Sequence, residues 1–394
     1  MVEANLKIIA ELKDFLDKFS ENQELRKSVT SKESDFSRNR KLPFKRLVSM
    51  IINMPKRSLN VELQEFFDHI EKGSYGCTKG AFCSQRRKLN PSFFQMWNQC
   101  LVDNFYQQYG DQVKRWRGFR VQAVDGSTVY LPNKGEIVEY FGTRDNQYAS
   151  TPMGRMMQIQ DVLNDITVWG DIFPIADGEQ SIMADQVERL SCDSLTIFDR
   201  GYPGFGLMYM MLHHMETPRH FVIRCKVGFN NEVKRFLCSG EESQIIYLSP
   251  HEKSINMLKK YGYKVIRSTS IKIRMVKITL PTGDPEVLLT NLYDEKLYSV
   301  ADLYYLYGLR WKIETTYDKQ KNQQQIEQFS GHKVICIQQD YAAALFTANL
   351  RSLIEKQCEP HLQKINTNRK HPCQINQNIS WASLKHNIVK LFLE

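Results

Sequence analysis

The sequence predicts an α/β fold, and three observations carry that prediction. Short apolar strands alternate with helices from about Trp116 to Lys226. Roughly a hundred residues of helical periodicity precede them. A β-rich stretch and then a long helix follow, so the strand-and-helix region is interrupted rather than finished at Lys226. The division expected is a helical N-terminal region over 1–105, a core whose first part is 106–227, a β-rich insertion over 228–299, the second part of the core over 300–359, and a C-terminal tail and helix over 360–394.

In the N-terminal region Pro43 and Pro55 flank FKRLVSMIINM, a short helix with Leu47, Met50, Ile51 and Met54 as its apolar stripe. Thr78 is placed to cap a helix through GAFCSQRRKL, and Asn90-Pro91 ends that helix and starts the next. Two helices joined tightly, with Arg86, Arg87 and Lys88 at the joint, are compatible with helix-turn-helix DNA binding.

The periodicity changes at Trp116. FRVQAVDGSTVYLP sets Phe119, Val121 and Ala123 on one face, a strand expected to end where Gly126-Ser127 bends the chain. MMQIQDVLNDITVWGDIF reads as strand, Asn164-Asp165 turn and strand. A helix over about 180–190 is followed by LTIFD, a short buried strand ending at Asp199. A helix through PGFGLMYMMLHHM and the strand HFVIRCK complete a β-β-β-α-β-α-β order. YKVIRS, SIKIRMVKITL and EVLLTNL read as strands of a separate β-rich piece, with Pro281-Thr282-Gly283-Asp284 as a turn. Ser299-Val-Ala-Asp302 forms a capping box that launches one helix to about Gln324. Near the end, Trp381, Leu384, Ile388 and Leu391 share a stripe suited to core packing, while 360–377 is polar and expected to be loose.

Composition narrows the class. Of 394 residues 42% are hydrophobic and 25% charged, ordinary for a soluble globular protein. No 18-residue apolar run or signal-peptide pattern occurs, which favours a cytoplasmic protein without a membrane partner. Nine scattered cysteines without a CxxC pair suggest neither a zinc site nor a disulfide framework, and buried or partly buried free thiols are expected. The net charge of +9 is concentrated in two islands. Arg38, Arg40, Lys41, Lys45, Arg46, Lys56 and Arg57 occur between Phe36 and Val61 with no acid among them. Eight Lys/Arg face Glu252 alone over 251–277. Two such surfaces suit a phosphate polymer, because neutralised phosphates release counterions.

The chemistry rests on three acids. Asp125 and Asp199 each end a predicted strand, and either alone reads equally as a turn residue accepting backbone N–H bonds. Two strands of one sheet that stop at acids, however, place both carboxylates on one rim, where sites form in sheets with parallel strands. Close carboxylates repel, and a divalent cation relieves them. Oxygen ligands without His or Cys indicate Mg²⁺ or Mn²⁺. On the long predicted helix Tyr307, Arg310, Glu314 and Lys321 lie 3, 4 and 7 apart, hence on one stripe about 21 Å long. An acid among cations on one stripe suits an anionic polymer; a solvated face of i,i+3 and i,i+4 pairs is the alternative.

YGLRWKIETTYDKQK carries the Y-x2-R-x3-E-x6-K signature, AVDGST surrounds Asp125, and FDRGY surrounds Asp199. In these segments the chain resembles the DDE transposases of the insertion-sequence-four family, relatives of the transposon-five transposase. SRNRKLPF and LLTNL extend the resemblance over about 36–355. It implies an RNase H-like catalytic core with a β-rich insertion domain and a helical N-terminal DNA-binding domain. It also implies a metal triad of Asp125, Asp199 and Glu314 holding two Mg²⁺ or Mn²⁺ ions, with Tyr307, Arg310 and Lys321 gripping DNA phosphates. Arg200 would orient its neighbouring acid or touch DNA, and Arg38, Arg40, Lys41, Lys45 and Arg46 would bind DNA.

The activity implied is cleavage and joining of double-stranded DNA at the inverted repeats of a mobile element, through a hairpin end, by a homodimer on paired ends. Relatives that form hairpins hold a flipped base with a Trp of the insertion, whereas 228–299 has no Trp; Tyr247, Tyr261, Tyr263 or Phe229 could stack a base instead. The competing readings are a structure-specific DNA nuclease, a domesticated DNA-binding relative, and a glycoside hydrolase with paired acids. The basic islands and the Tyr-Arg-Glu-Lys stripe disfavour the last.

Overall fold

A computed structural model describes residues 1–38, 40–53, 56–70, 76–145, 147–214, 216–280 and 283–394. Met54 and Pro55 of the expected first stripe, and Pro281 and Thr282 of the expected turn, lie outside the described residues.

The strands are β1 (Arg120–Tyr130), β2 (Thr143–Asp145), β3 (Ser150–Asp161), β4 (Ile166–Pro174), β5 (Ser194–Phe198), β6 (His220–Cys225), β7 (Ser243–Leu248), β8 (Ile271–Thr279) and β9 (Pro285–Thr290). They form one mixed sheet in the order β2-β3-β1-β5-β6-β9-β8-β7, with β4 also paired to β3. β1, β3 and β4 are antiparallel neighbours, whereas β1, β5 and β6 run parallel. Parallel neighbours need a crossover. The crossover from β5 to β6 carries the helix Phe205–His213, and the helix Glu179–Asp185 leads into β5. The β3–β4 connection turns at Asn164-Asp165 as expected, with Asp165 in the left-handed region at φ 52°.

Two expectations about strands change. β1 does not stop at Asp125 but continues to Tyr130, because β3 keeps pairing with it from Gln122↔Asp161 to Tyr130↔Met153. The strands of 228–299 do not close a sheet of their own. β9 pairs antiparallel to β6 and β8 to β9, so this segment prolongs the core sheet and adds the helices Asn231–Cys238 and Glu252–Lys260. β5 and β9 pair with the two edges of β6, and Val222, Ile223, Leu288 and Leu289 on the faces of this pair are all buried.

The helices Val2–Glu21, Phe44–Ile52, Leu59–Ile70 and Ser92–Tyr109 share one core with Val334–Glu355 and the C-terminal Gln377–Leu393. Trp97 stacks on Phe346 at 4.0 Å and meets Phe392 at 4.8 Å, while its indole N–H donates to the Leu12 carbonyl at 3.0 Å. Full burial of such rings stabilises the junction by about 1.5–3 kcal/mol each. Leu384 and Ile388 of the last stripe are buried there, so the C-terminal helix completes the core. Within 360–377, expected to be loose, a helix spans Glu359–Asn366 and buries no residue.

The capping box at Ser299 and Asp302 forms as expected. The helix it launches is not continuous. Val300–Gly308 and Trp311–Asn322 meet at Leu309-Arg310, where Lys312 and Ile313 donate back three residues, to Leu309 and Arg310. This tighter 3₁₀ bonding divides the expected helix in two. Among the described residues no helix is long and apolar enough to cross a membrane.

Candidate active site

The site is set by register. The last paired residues of β1 and β5 are Val124 and Phe198, and those of β5 and β6 are Phe198 and Ile223. One step onward stand Asp125, Asp199 and Arg224, a row of two acids and a cation along one rim. The apolar residues behind them are buried, so burial of the strands fixes where the row falls.

Around Asp125 the contacts are polar. Its Oδ1 accepts the Gly126 amide at 2.9 Å, and its carbonyl accepts the buried Tyr317 hydroxyl at 2.7 Å. Its Oδ2 lies 3.7 Å from the Arg310 guanidinium, which also pairs with Glu314 at 2.7 Å. Arg310 is 3% exposed and its Nε is buried without a hydrogen-bond partner. Burial pushes the Asp125 carboxyl up to about 7; the Gly126 amide and Arg310 oppose this, and the Glu179 and Asp199 charges reinforce it. Beside Asp199, the Tyr307 hydroxyl donates to Oδ1 at 3.4 Å and Arg224 stands 3.9 Å away. Burial also pushes the Tyr307 phenol up to about 12, so it stays protonated and a hydrogen-bond donor at neutral pH. Lys321 donates to the Ser127 hydroxyl at 2.9 Å.

Tyr307, Arg310, Glu314 and Lys321 therefore all face the rim despite the 3₁₀ joint. Asp125, Asp199 and Glu314 are not gathered around one point. Among the described residues no group of three or more His, Cys, Asp or Glu is placed to hold a metal ion. Arg310 stands between Asp125 and Glu314 instead. Arg200 is exposed on the turn after β5 and makes no ion pair or hydrogen bond among the described residues.

Three neighbours were not expected from sequence. Arg224 bonds Glu286 on β9 as well as approaching Asp199. Glu179 is held by Arg155 at 2.5 Å. A side chain at Gly126 would put its Cβ 2.6 Å from Glu179 Oε1 and 2.9 Å from Met157 Sδ, so both side chains would have to shift to admit one. The signal for Arg224 was available: HFVIRCK, like LTIFD, ends an apolar run at a charged residue.

The basic islands divide. Arg38 and Arg40 are exposed. Lys45 pairs with Asp17, Lys41 bonds the Gly76 carbonyl, and Arg46 the Lys41 carbonyl. In the second island Arg274 is buried and bonds the Leu292 and Tyr298 carbonyls, and Lys277 bonds those of Leu237 and Ser239. The helix-turn-helix expectation is corrected. Arg86, at the joint, is 1% exposed and bonds Gln339, Ser330, Asp340 and the Cys336 carbonyl. The helix Ser92–Tyr109 buries Phe93, Phe94, Trp97, Leu101 and Phe105 in the core and is unsuited to a DNA groove. The nine cysteines are free thiols, with Cys192, Cys238 and Cys358 exposed rather than buried.

Of the aromatic residues considered for base stacking, Phe229 follows β6 most closely and is partly buried against the core. Tyr247 is 67% exposed but pairs with Lys272, five residues back along β8 from Lys277. Tyr263 bonds His214 and Tyr261 bonds Asp185.

Fold and site together define a mixed α/β protein with acids and cations aligned on one sheet rim. The chain resembles a transposase of the insertion-sequence-four family: over 239 residues it is 23% identical to the transposase InsG for insertion sequence element IS4 of Escherichia coli strain K12. That match covers 60% of this chain and about half, 52%, of the relative's length. No protein-family model matches the chain. A cryo-EM structure of the piggyBac transposase synaptic complex with hairpin DNA aligns at a TM-score of 0.46 and 10% identity, covering 98% of this chain and 78% of that one. A likeness of that degree carries no functional inference.

Proposed function

We propose that this chain is a transposase with an RNase H-like core that cleaves and joins DNA at the ends of a mobile element. The observation that carries the reading is the register of Asp125 and Asp199 on one rim, faced by Tyr307, Arg310, Glu314 and Lys321. The antiparallel β1, β3 and β4 followed by the parallel β5 and β6 support the RNase H-like core, and the likeness to a transposase supports the activity.

The donor types, carboxylate oxygens, suit a hard divalent cation, although the three acids are not gathered around one point in this arrangement. Asp125 and Asp199 offer carboxylate oxygens only, and burial, reinforced by the Glu179 and Asp199 charges, raises the Asp125 carboxyl, which a cation there would relieve. Asp125, Asp199 and Glu314 would hold Mg²⁺ or Mn²⁺, two ions in the full site, although Glu314 is now paired to Arg310. Such ions supply activation of a water or 3′-hydroxyl and stabilisation of the leaving oxygen. Tyr307 orients Asp199 and, protonated at neutral pH, offers a hydrogen bond that suits a phosphate oxygen. Arg310 and Lys321 offer cations on either side of Glu314 for flanking phosphates. A hairpin end and a dimer on paired ends extend the same proposal.

The test is incubation of the protein with inverted-repeat ends and Mg²⁺, resolved by denaturing electrophoresis. Wild type should yield nicked and joined products, and Asp125→Asn, Asp199→Asn and Glu314→Gln should yield none while still binding DNA. Cleavage at the wild-type rate by any of the three would overturn the triad. Cleavage without joined products would make the chain a nuclease.

A further inference from the structure

Away from the rim, three separated stretches enclose a cleft of about 350 Å³. Lys56 and Arg57 come from the link before Leu59–Ile70, Lys79 and Arg87 from the two ends of Lys79–Arg86, and Lys333 from the start of Val334–Glu355. Five cations line it, and among the described lining residues there is no carboxylate. The acids nearby serve its margins: Glu62 and Glu65 hold Arg57, and Glu136 holds Lys333. Lys79 and Arg87 are exposed and form no ion pair among the described residues. Lys56 is turned inward, its amine donating to the Gln328 carbonyl at 3.1 Å. Its burial pushes that amine down to about 8, with Asp340 opposing and Lys385 reinforcing the shift. With Arg57 and Lys333 compensated by these acids, Lys56, Lys79 and Arg87 leave an excess of positive charge that favours an anionic ligand.

The cleft is tied to the rim by two chain paths. The helix Trp311–Asn322, bearing Glu314 and Lys321, leads directly to Gln328 at the cleft wall. β1 runs on from Asp125 to Tyr130, whose amide donates to Glu327 at 3.0 Å. Five strand residues span about 17 Å. At about 3.4 Å per base pair this is some five base pairs of duplex.

We propose that this cleft grips backbone phosphates of the same DNA duplex that enters the rim, a few base pairs from the reacting bond. The inference rests on the reading that the chain acts on DNA. Such contacts position a duplex without reading its sequence.

The experiment measures binding of a fluorescently tagged duplex to the full chain over a range of salt, with single-stranded DNA and duplex RNA alongside. Lys79→Glu/Arg87→Glu should weaken duplex binding at least tenfold at low salt. The slope of log affinity against log salt should become shallower by about 1–2, since each lost phosphate contact removes about 0.9. Lys79→Arg/Arg87→Lys should keep the wild-type slope. Lys7→Glu/Lys18→Glu, the same charge change on the exposed face of the first helix, should leave binding near wild type. Thermal melts check that each variant is folded. A wild-type slope in the cleft variant, equal loss in both charge-reversed variants, or a cleft effect confined to RNA overturns the inference. If wild type binds no DNA, the functional reading falls with it. If wild type binds and cuts while the cleft variant matches it, only the cleft assignment falls.

Discussion

Asp125 and Asp199 stand one step beyond Val124 and Phe198, the last paired residues of two adjacent parallel strands. Their carboxylates share a rim because the strands are parallel and in this register; an antiparallel pairing would have sent the two ends to opposite edges.

Asp125 gives the protein a pH signature. Its folded-state carboxyl is pushed up to about 7 from an ordinary value near 3.8, mainly by burial. The folded state therefore holds the proton more tightly than the unfolded chain. The stability this contributes is present below about pH 4 and is lost as pH rises towards 7. Asp125→Asn, which never ionises, should gain on wild type over that window, by on the order of 2–4 kcal/mol above pH 7. Thermal melts at pH 4, 6 and 8 without divalent ions check this; an increment independent of pH would contradict it.

Arg310 compensates two acids at once. Arg310→Met should destabilise by about 2–3 kcal/mol at pH 8, below the usual cost of breaking a fully buried pair because the Glu314 carboxylate is partly exposed. Urea unfolding with and without Mg²⁺ would measure it. Part of the loss should return with the ion, as a cation again stands among the carboxylates.

Gly126→Ala should cost about 1–3 kcal/mol, since the added methyl meets Glu179 and Met157 inside contact distance. In a double-mutant cycle with Glu179→Ala the two costs should fall short of additive, because truncating Glu179 vacates the space. Additive costs would place the strain elsewhere.

Arg86→Met should lower stability by about 3–5 kcal/mol, because it leaves Asp340 and Gln339 without their buried partner. Among molecules that remain folded, DNA affinity should be near wild type. A large loss of affinity with little loss of stability would restore the helix-turn-helix reading.

Lys321→Ala should unfold at nearly the wild-type denaturant concentration, since a single hydrogen bond to Ser127 contributes only about 1 kcal/mol. Binding of end DNA or joining of strands should fall by several-fold or more. Gel-shift and strand-joining assays beside urea unfolding would separate the two effects.

Much of this was legible in the sequence because it is local. Alternation over 119–123 and the apolar run before Asp199 mark strands. Thr78 and the Ser299–Asp302 box mark helix starts, and the spacing of Tyr307, Arg310, Glu314 and Lys321 marks one face. The end of β1 was misplaced because Gly126 resembles a turn residue. In the fold it lies within β1, packed closely against the end of Glu179, more than fifty residues away.

The sequence by itself determined most of the element order, the two acids that follow buried apolar runs, and the polar stripe that faces them, since each follows from spacing along the chain. Only the tertiary structure decided that β7, β8 and β9 prolong the core sheet and that Arg86 is a buried tie rather than a DNA contact. It also decided that Arg310 stands between Asp125 and Glu314. Those outcomes turn on which edges and charges meet across long separations, where burial and pairing are settled by packing rather than by periodicity.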